Sequence, residues 1–224
     1  MHIPDGYLGP ITYGGLWAAM APVWWWAGRK VKETLKASEV PLLALGAAVS
    51  FVIMMINIPV IGGTTGHATG AVLLAIVLGP WAAVIAVSIA LAVQAIIFGD
   101  GGITAIGANC FNIAFAGALS GYIAFKILAP KGVSRKRLLI ASGIGGYAGI
   151  NVSALLTAVE LGLQVMLHTA PDGRPLYSPF PLKLTIPAIM IEHVAVFGFV
   201  EAALTVLSLA YILKAHPELV RSRA

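Results

Sequence analysis

Charge is scarce in this sequence. Only 10% of its 224 residues are Asp, Glu, Lys or Arg while 59% are hydrophobic, which leaves too few polar side chains to cover a soluble globule. The chain is therefore expected to be an integral membrane protein. Cysteine is almost missing: Cys110 stands alone in an apolar stretch, which excludes a disulfide framework and a Cys-based zinc site. Gly-Lys-Ser/Thr occurs nowhere, so there is no Walker A loop and this chain should bind and hydrolyse no ATP. His-Glu-x-x-His is absent too, and Glu192-His193 has no second histidine four residues away, so a zinc-dependent intramembrane enzyme is not expected. A net charge of +5 raises the question of nucleic acid, but the basic residues lie in short runs between apolar stretches rather than along one face. No basic n-region precedes the first apolar run, so no removable signal is predicted; the bulky residue at position two predicts that Met1 is kept as the N-terminus.

What is present is a series of apolar stretches, and they predict an all-α, polytopic helical bundle forming a single membrane domain over 1–224. Spans fall at about 11–27, 40–61, 103–127, 138–167 and 184–213, the fourth of these interrupted by Gly143, Gly145 and Gly146. The stretch to residue 98 is broken by Gly79-Pro80. Counted as two crossings, a short one at 66–78 and a second up to 98, it gives seven transmembrane helices with the N-terminus outside and the C-terminus inside. Twelve of the fourteen Lys and Arg residues then lie inside, with only Arg174 and Lys183 outside. The short crossing is predicted to begin in an irregular segment buried within the protein. Segment 168–183, with Pro171, Pro175, Pro179 and Pro181, reads as an external loop. Trp24, Trp25 and Trp26 beside Arg29 and Lys30 read as an interfacial anchor, and Ala44 and Ala48, four apart, as a face for close helix contact.

The opening residues 1–10, placed outside, carry the most specific chemistry. A histidine at position two can hold one metal through the Met1 amine, the deprotonated His2 amide and the His2 Nδ1. The fused five- and six-membered rings are nearly flat and fill three corners of a square, which suits Ni(II) or Cu(II) better than tetrahedral Zn(II). Pro4 extends Ile3, and Pro4-Asp5-Gly6 is a turn that folds the end back on the protein. The fourth ligand should then come from elsewhere. His67, among Gly62, Gly63, Gly66 and Gly70 on the same side, is the candidate; the competing reading is a helix-start histidine bonded to backbone. His193 reads as a helix-packing residue and His168 as interfacial. Glu160, Glu192 and Glu201 lie within spans, where a charge needs a partner or a role, and they motivate an alternative: an ion-coupled secondary metal transporter using these acids as proton carriers. No inverted repeat supports it.

Met1-His2-Ile3-Pro4-Asp5-Gly6-Tyr7-Leu8, the Gly66-His67 segment and Gly107-Ala108-Asn109-Cys110-Phe111-Asn112 resemble the NikM/CbiM family, the substrate-binding membrane (S) component of nickel and cobalt energy-coupling-factor transporters. The likeness covers essentially the whole chain. It implies a protein of the plasma membrane that binds its transported substrate, Ni2+ or Co2+, outside through Met1, His2 and His67; the four-nitrogen square argues Ni2+ before Co2+, and Asp5, Thr65, Asn109 and Asn112 are candidate supporting residues. It also implies partners: a transmembrane coupling subunit, two ATP-binding-cassette ATPases and often a small additional membrane subunit. Ala44 and Ala48 are the candidate face for the coupling subunit.

Overall fold

The computed structural model describes residues 1–60 and 64–221. Its helices are α1 (Pro10–Thr34), α2 (Val40–Met54), α3 (Ala71–Leu78), α4 (Pro80–Val93), α5 (Ile106–Asn109), α6 (Ala118–Leu128), α7 (Arg135–Leu167), α8 (Leu182–Glu192), α9 (Gly198–Ala215) and α10 (Glu218–Arg221). Three π-helical segments keep longer runs continuous: Gln94–Phe98 extends α4, Cys110–Gly117 joins α5 to α6, and His193–Phe197 joins α8 to α9. Among the described residues, five helical stretches are long and apolar enough to cross a membrane: Ala37–Met54, Pro80–Phe98, Ile106–Leu128, Arg135–Leu167 and Leu182–Ala215. The chain is thus mainly helical, as expected. α1 and α3 do not reach that threshold of length and hydropathy.

Two expectations need correction. The span expected over 40–61 stops at Met54, because Pro59 cannot continue a helix; Ile58–Val60 (β1) instead pairs antiparallel with Thr64–Gly66 (β2), Ile58 opposite Gly66. Gly62 and Gly63 of the expected glycine segment lie outside the described residues. The glycines expected to interrupt the span at 138–167 do not do so, since α7 runs unbroken over 33 residues. They serve packing. A Cβ at Gly149 would stand 2.6 Å from the Gly117 carbonyl oxygen, and one at Gly145 would stand 2.7 Å from that of Gly121. α6 and α7 therefore meet backbone to backbone, as small residues allow where lipid gives no hydrophobic drive to helix association. On the other side of α7, Gly146 faces Thr205 and Gly143 faces Val206 of α9.

The short crossing expected at 66–78 is helical only from Ala71. Gly70, at φ 67°, turns the chain into α3, all eight of whose residues are buried; Gly79, at φ 91°, and Pro80 end it and start α4. Residues 67–70 are non-helical and lie inside the protein. At the other end of the bundle Arg29 lies over the Trp25 ring and Lys30 over the Trp26 ring, both cations about 5 Å from the ring centre. Trp24 turns inward, donating to Ser88 Oγ at 2.9 Å.

The α6–α7 crossing predicts a contrast between two kinds of glycine. Gly149→Ala should lower stability in detergent by about 1–3 kcal/mol, because neither facing backbone can yield. Gly15→Ala, with nothing within 4 Å of the added carbon, should be at least as stable as the parent. Thermal unfolding of the two variants side by side checks this.

Candidate metal centre

The N-terminal segment is inserted into the protein. Met1 and Ile3 are fully buried and His2 is 3% exposed. Each backbone group of such a segment needs a partner. Asn109 supplies two for Ile3, accepting its N–H at 2.9 Å and donating to its carbonyl at 3.2 Å, and the Gly102 N–H donates to the same carbonyl at 2.8 Å. Thr64 Oγ1 donates to the His2 carbonyl at 2.8 Å. Asp5 clasps the turn, accepting from the Ile103 and Thr104 N–H groups at 3.0 and 2.9 Å. Gly6, at φ 83°, completes the reversal.

Insertion brings the chain end to β2. The Met1 amine donates to the Thr65 carbonyl and, at 3.3 Å, faces Thr65 Oγ1. The His2 ring lies against that of His67, centroids 4.4 Å apart and planes tilted by 35°. His2 Nδ1 is 2.9 Å from Asp100 Oδ1, and Asp100 Oδ2 accepts from Asn57 at 3.1 Å. His67 Nδ1 and the Ala68 carbonyl are 3.0 Å apart; a carbonyl can only accept, so Nδ1 carries the proton and Nε2 a free lone pair. Nε2 of both His2 and His67 is buried without a hydrogen-bond partner. Gly66 lets β2 pack against Phe197, since a Cβ there would overlap that ring.

Burial also sets the charge of the chain end. It holds the Met1 amine down at about 4 instead of 8.0, against the pull of the Asp100 and Glu192 carboxylates. Burial likewise keeps His2 below its ordinary 6.5, opposed by its bond to Asp100 and assisted by the neighbouring amine. At neutral pH the amine and the ring are therefore uncharged. The amine lone pair is then free for a metal, whereas His2 Nδ1, bonded to a carboxylate that only accepts, carries the ring proton and must first pass it to Nε2. Among the described residues no three His, Cys, Asp or Glu side chains gather around a point that could hold a metal. The donor atoms beside His2 and His67 are then the Met1 amine and main-chain groups rather than a third such side chain.

The other predicted residues are distributed differently. Thr65 and Asn109 touch the inserted segment, whereas Asp5 serves its turn. Asn112 belongs to a separate network, donating to Glu160 Oε2 at 2.8 Å and Thr157 Oγ1 at 3.3 Å. His193 Nδ1 is 2.7 Å from the Ile189 carbonyl one turn back, and His168 packs against Tyr177 and Gly9. Ala44 and Ala48 are exposed on α2, in an apolar groove of about 480 Å³ that they share with Phe51 and with Ile89 and Val93 of α4. Glu201 accepts from the Thr69 and Gly70 N–H groups. Sequence reasoning missed Asp100 and Asn57. Asp100 had a signal in its setting, Gly99-Asp100-Gly101-Gly102, where Gly99 and Gly101 take positive φ and turn the carboxylate inward.

Comparison with known proteins identifies the family. The chain is 46% identical to a fused nickel transport protein, NikMN, of Rhodobacter capsulatus, over all of this chain and 65% of that protein, so it spans about two thirds of that relative's length. It is 43% identical to a putative metal transport protein of Methanocaldococcus jannaschii, over all of this chain and 96% of the relative. A crystal structure described as a transition metal transporter superimposes with a TM-score of 0.93 at 46% identity, covering both chains entirely. The CbiM family, described as the cobalt uptake substrate-specific transmembrane region, matches residues 2–219, and it is to this family that the chain belongs.

Proposed function

We propose that this chain is the metal-capturing membrane component of an energy-coupling-factor importer, taking Ni2+ first and Co2+ second from outside the cell. The observation that carries the reading is the buried, uncharged chain end with its His2 ring 4.4 Å from that of His67. The Met1 amine, the His2 amide, His2 Nδ1 and His67 Nε2 supply four nitrogens, a set that favours square geometry and Ni(II). To offer Nδ1, His2 must exchange Asp100 for the metal. The bound ion then joins the N-terminus to the segment before α3, and the amide proton leaves as it binds.

In this reading α1 and α3 complete seven crossings with the five longer stretches, the N-terminus lying outside, the 168–183 loop on the same side and the C-terminus inside. α3 spans only about 12 Å and crosses with the help of the buried 67–70 segment. Energy comes from two ATPases, through a coupling subunit at the Ala44/Ala48 groove and with a small membrane subunit, in the plasma membrane. Relatives carry the names nickel and cobalt transport protein, which supports the substrate class. The alternative asks Glu160, Glu192 and Glu201 to ferry protons. Glu201 is already surrounded by hydrogen-bond donors and Glu160 is bonded to Asn112, so two of the three are held in structural networks.

Inserting one residue between Met1 and His2 should let the amine, two amides and the ring fill all four corners. His67→Ala should weaken nickel binding by more than about tenfold in the natural chain and be nearly silent in the insertion background. Calorimetry on the purified proteins checks this, and acetylating the amine should weaken binding in both.

The pH dependence follows from the amine. Its folded value is depressed, so the stability it lends the docked segment is complete above pH 8.0 and is lost as pH falls through about 4. Between those limits it does not compete with the metal. Binding near neutral pH should then release about one proton, from the amide, where an exposed amine would add a second. Titration in buffers of differing ionisation enthalpy gives the count.

Ala44→Leu and Ala48→Leu together should abolish co-purification with the coupling subunit and metal uptake, while nickel binding by the isolated chain is unchanged. Vesicles holding this chain alone should take up no nickel under an imposed proton gradient, and uptake there would establish the secondary-transporter reading instead.

A further inference from the structure

Glu201 is fully buried on α9, and its side chain grips a segment 131–132 residues earlier in the chain. One carboxylate oxygen accepts the Thr69 N–H at 2.6 Å, the other the Gly70 N–H at 2.9 Å, and the Thr69 hydroxyl lies 3.1 Å from the second oxygen. Every one of these partners is a donor, which suits a carboxylate whose oxygens only accept. Thr69 Oγ1 in turn accepts the Ala71 N–H at 3.2 Å. Glu201 and Thr69 therefore satisfy the N–H groups of residues 69, 70 and 71, which lead into α3 and have no intrahelical acceptor. Because α3 is buried along its whole length, water cannot take their place. Ser50 Oγ of α2 holds the opposite side of the peptide, donating to the Thr69 carbonyl at 2.8 Å.

His67 stands two residues before this grip. Its ring is tied to its own backbone by the Nδ1 contact with Ala68, so the ring follows the main chain at 68 and 69. The backbone of Glu201 is itself fixed: a Cβ at Gly146 would come within 3.2 Å of its carbonyl oxygen, which also accepts from Thr205 Oγ1 at 2.7 Å. A continuous set of contacts thus runs from the α7–α9 packing, through Glu201, to the segment that carries His67.

We propose that Glu201 is a positioning residue for metal capture: by holding the Thr69 and Gly70 N–H groups it sets where His67 Nε2 stands opposite the inserted N-terminus. The proposal rests on the reading of His67 as a ligand. A square site tolerates only small displacements of its fourth donor, so a carboxylate that never touches the ion governs how well it is held. Glutamine substitutes only in part, because one of its two terminal atoms still accepts while the other presents N–H groups to donors that need an acceptor.

The test is a double-mutant cycle on the full chain in detergent, with Ni2+ binding read by calorimetry and folding by thermal unfolding. Glu201→Gln should lower nickel affinity by about tenfold or more in the natural chain, and change it hardly at all in a His67→Ala background. Thr69→Val removes the hydroxyl while keeping both backbone bonds to Glu201. It should act in the same direction with smaller size, and it carries the same cycle should Glu201→Gln not fold. Effects that add in full to that of His67→Ala would mean a general loss of structure and overturn the proposal. Unchanged affinity in Glu201→Gln, with His67→Ala still crippling, would overturn it alone. Unchanged affinity in His67→Ala would overturn the metal reading and this proposal with it.

Discussion

A charged chain end cannot be buried without a partner of opposite charge, and the rest of this structure depends on how that constraint is met. The Met1 amine is placed against a carbonyl, with the nearest carboxylate, Asp100, bonded to His2 instead. The amine therefore gives up its proton. This is costly by itself and becomes useful only where a lone pair is wanted. The surrounding contacts look accordingly specific: Asn109 pairs both backbone groups of Ile3, Thr64 takes the His2 carbonyl, and Asp5 closes the turn that brings the segment in. The Asn109 and Thr64 bonds each relieve a buried backbone group that would otherwise lose about 1–3 kcal/mol.

The same requirement shapes the facing side of the centre. Residues 67–70 and the start of α3 are non-helical or first-turn backbone deep in the protein, where only protein can supply partners. Here the chain adds two buried side chains from other helices, Ser50 and Glu201, to the local Thr69 hydroxyl. An acid within an apolar span, which suggests proton transport when seen in isolation, is in this setting an acceptor for a helix start. Its carboxyl oxygens also sit at the positive end of the α3 dipole.

Much of this was legible in the sequence. The scarcity of charge fixed the helical membrane class, and the position of His2 with Pro4-Asp5-Gly6 behind it announced a chain end that folds back. What could not be read was which distant residues meet it. Asp100 and Glu201 act through contacts to segments about 100 and 130 residues away, and no local pattern reports such a pairing. The glycines of α7 misled for a related reason: in water they weaken a helix, whereas here Gly145 and Gly149 lie where Gly121 and Gly117 approach, so the packing they permit outweighs their poor propensity. Pro59 was a visible stop signal, but the apolar residues around it kept the hydropathy high through the β-hairpin.

On the proposed reading, the way the site is built also explains why it needs an external source of energy. Four nitrogens in a flat, desolvated arrangement hold a metal best when the chain end is fully docked, so the metal and the docked chain end stabilise each other. Release toward the other side must then separate His67 from the N-terminus, and that means breaking the contacts of Ile3 with Asn109, of His2 with Thr64, or of the 69–70 segment with Glu201. None of these can be loosened by the metal itself, which favours the docked state and can shift the equilibrium only that way. The push has to arrive through the packed helices. α2 bears both the proposed coupling face and Ser50, which holds the Thr69 carbonyl, and α9 bears Glu201, so that a small shift of either would move the donor that completes the square.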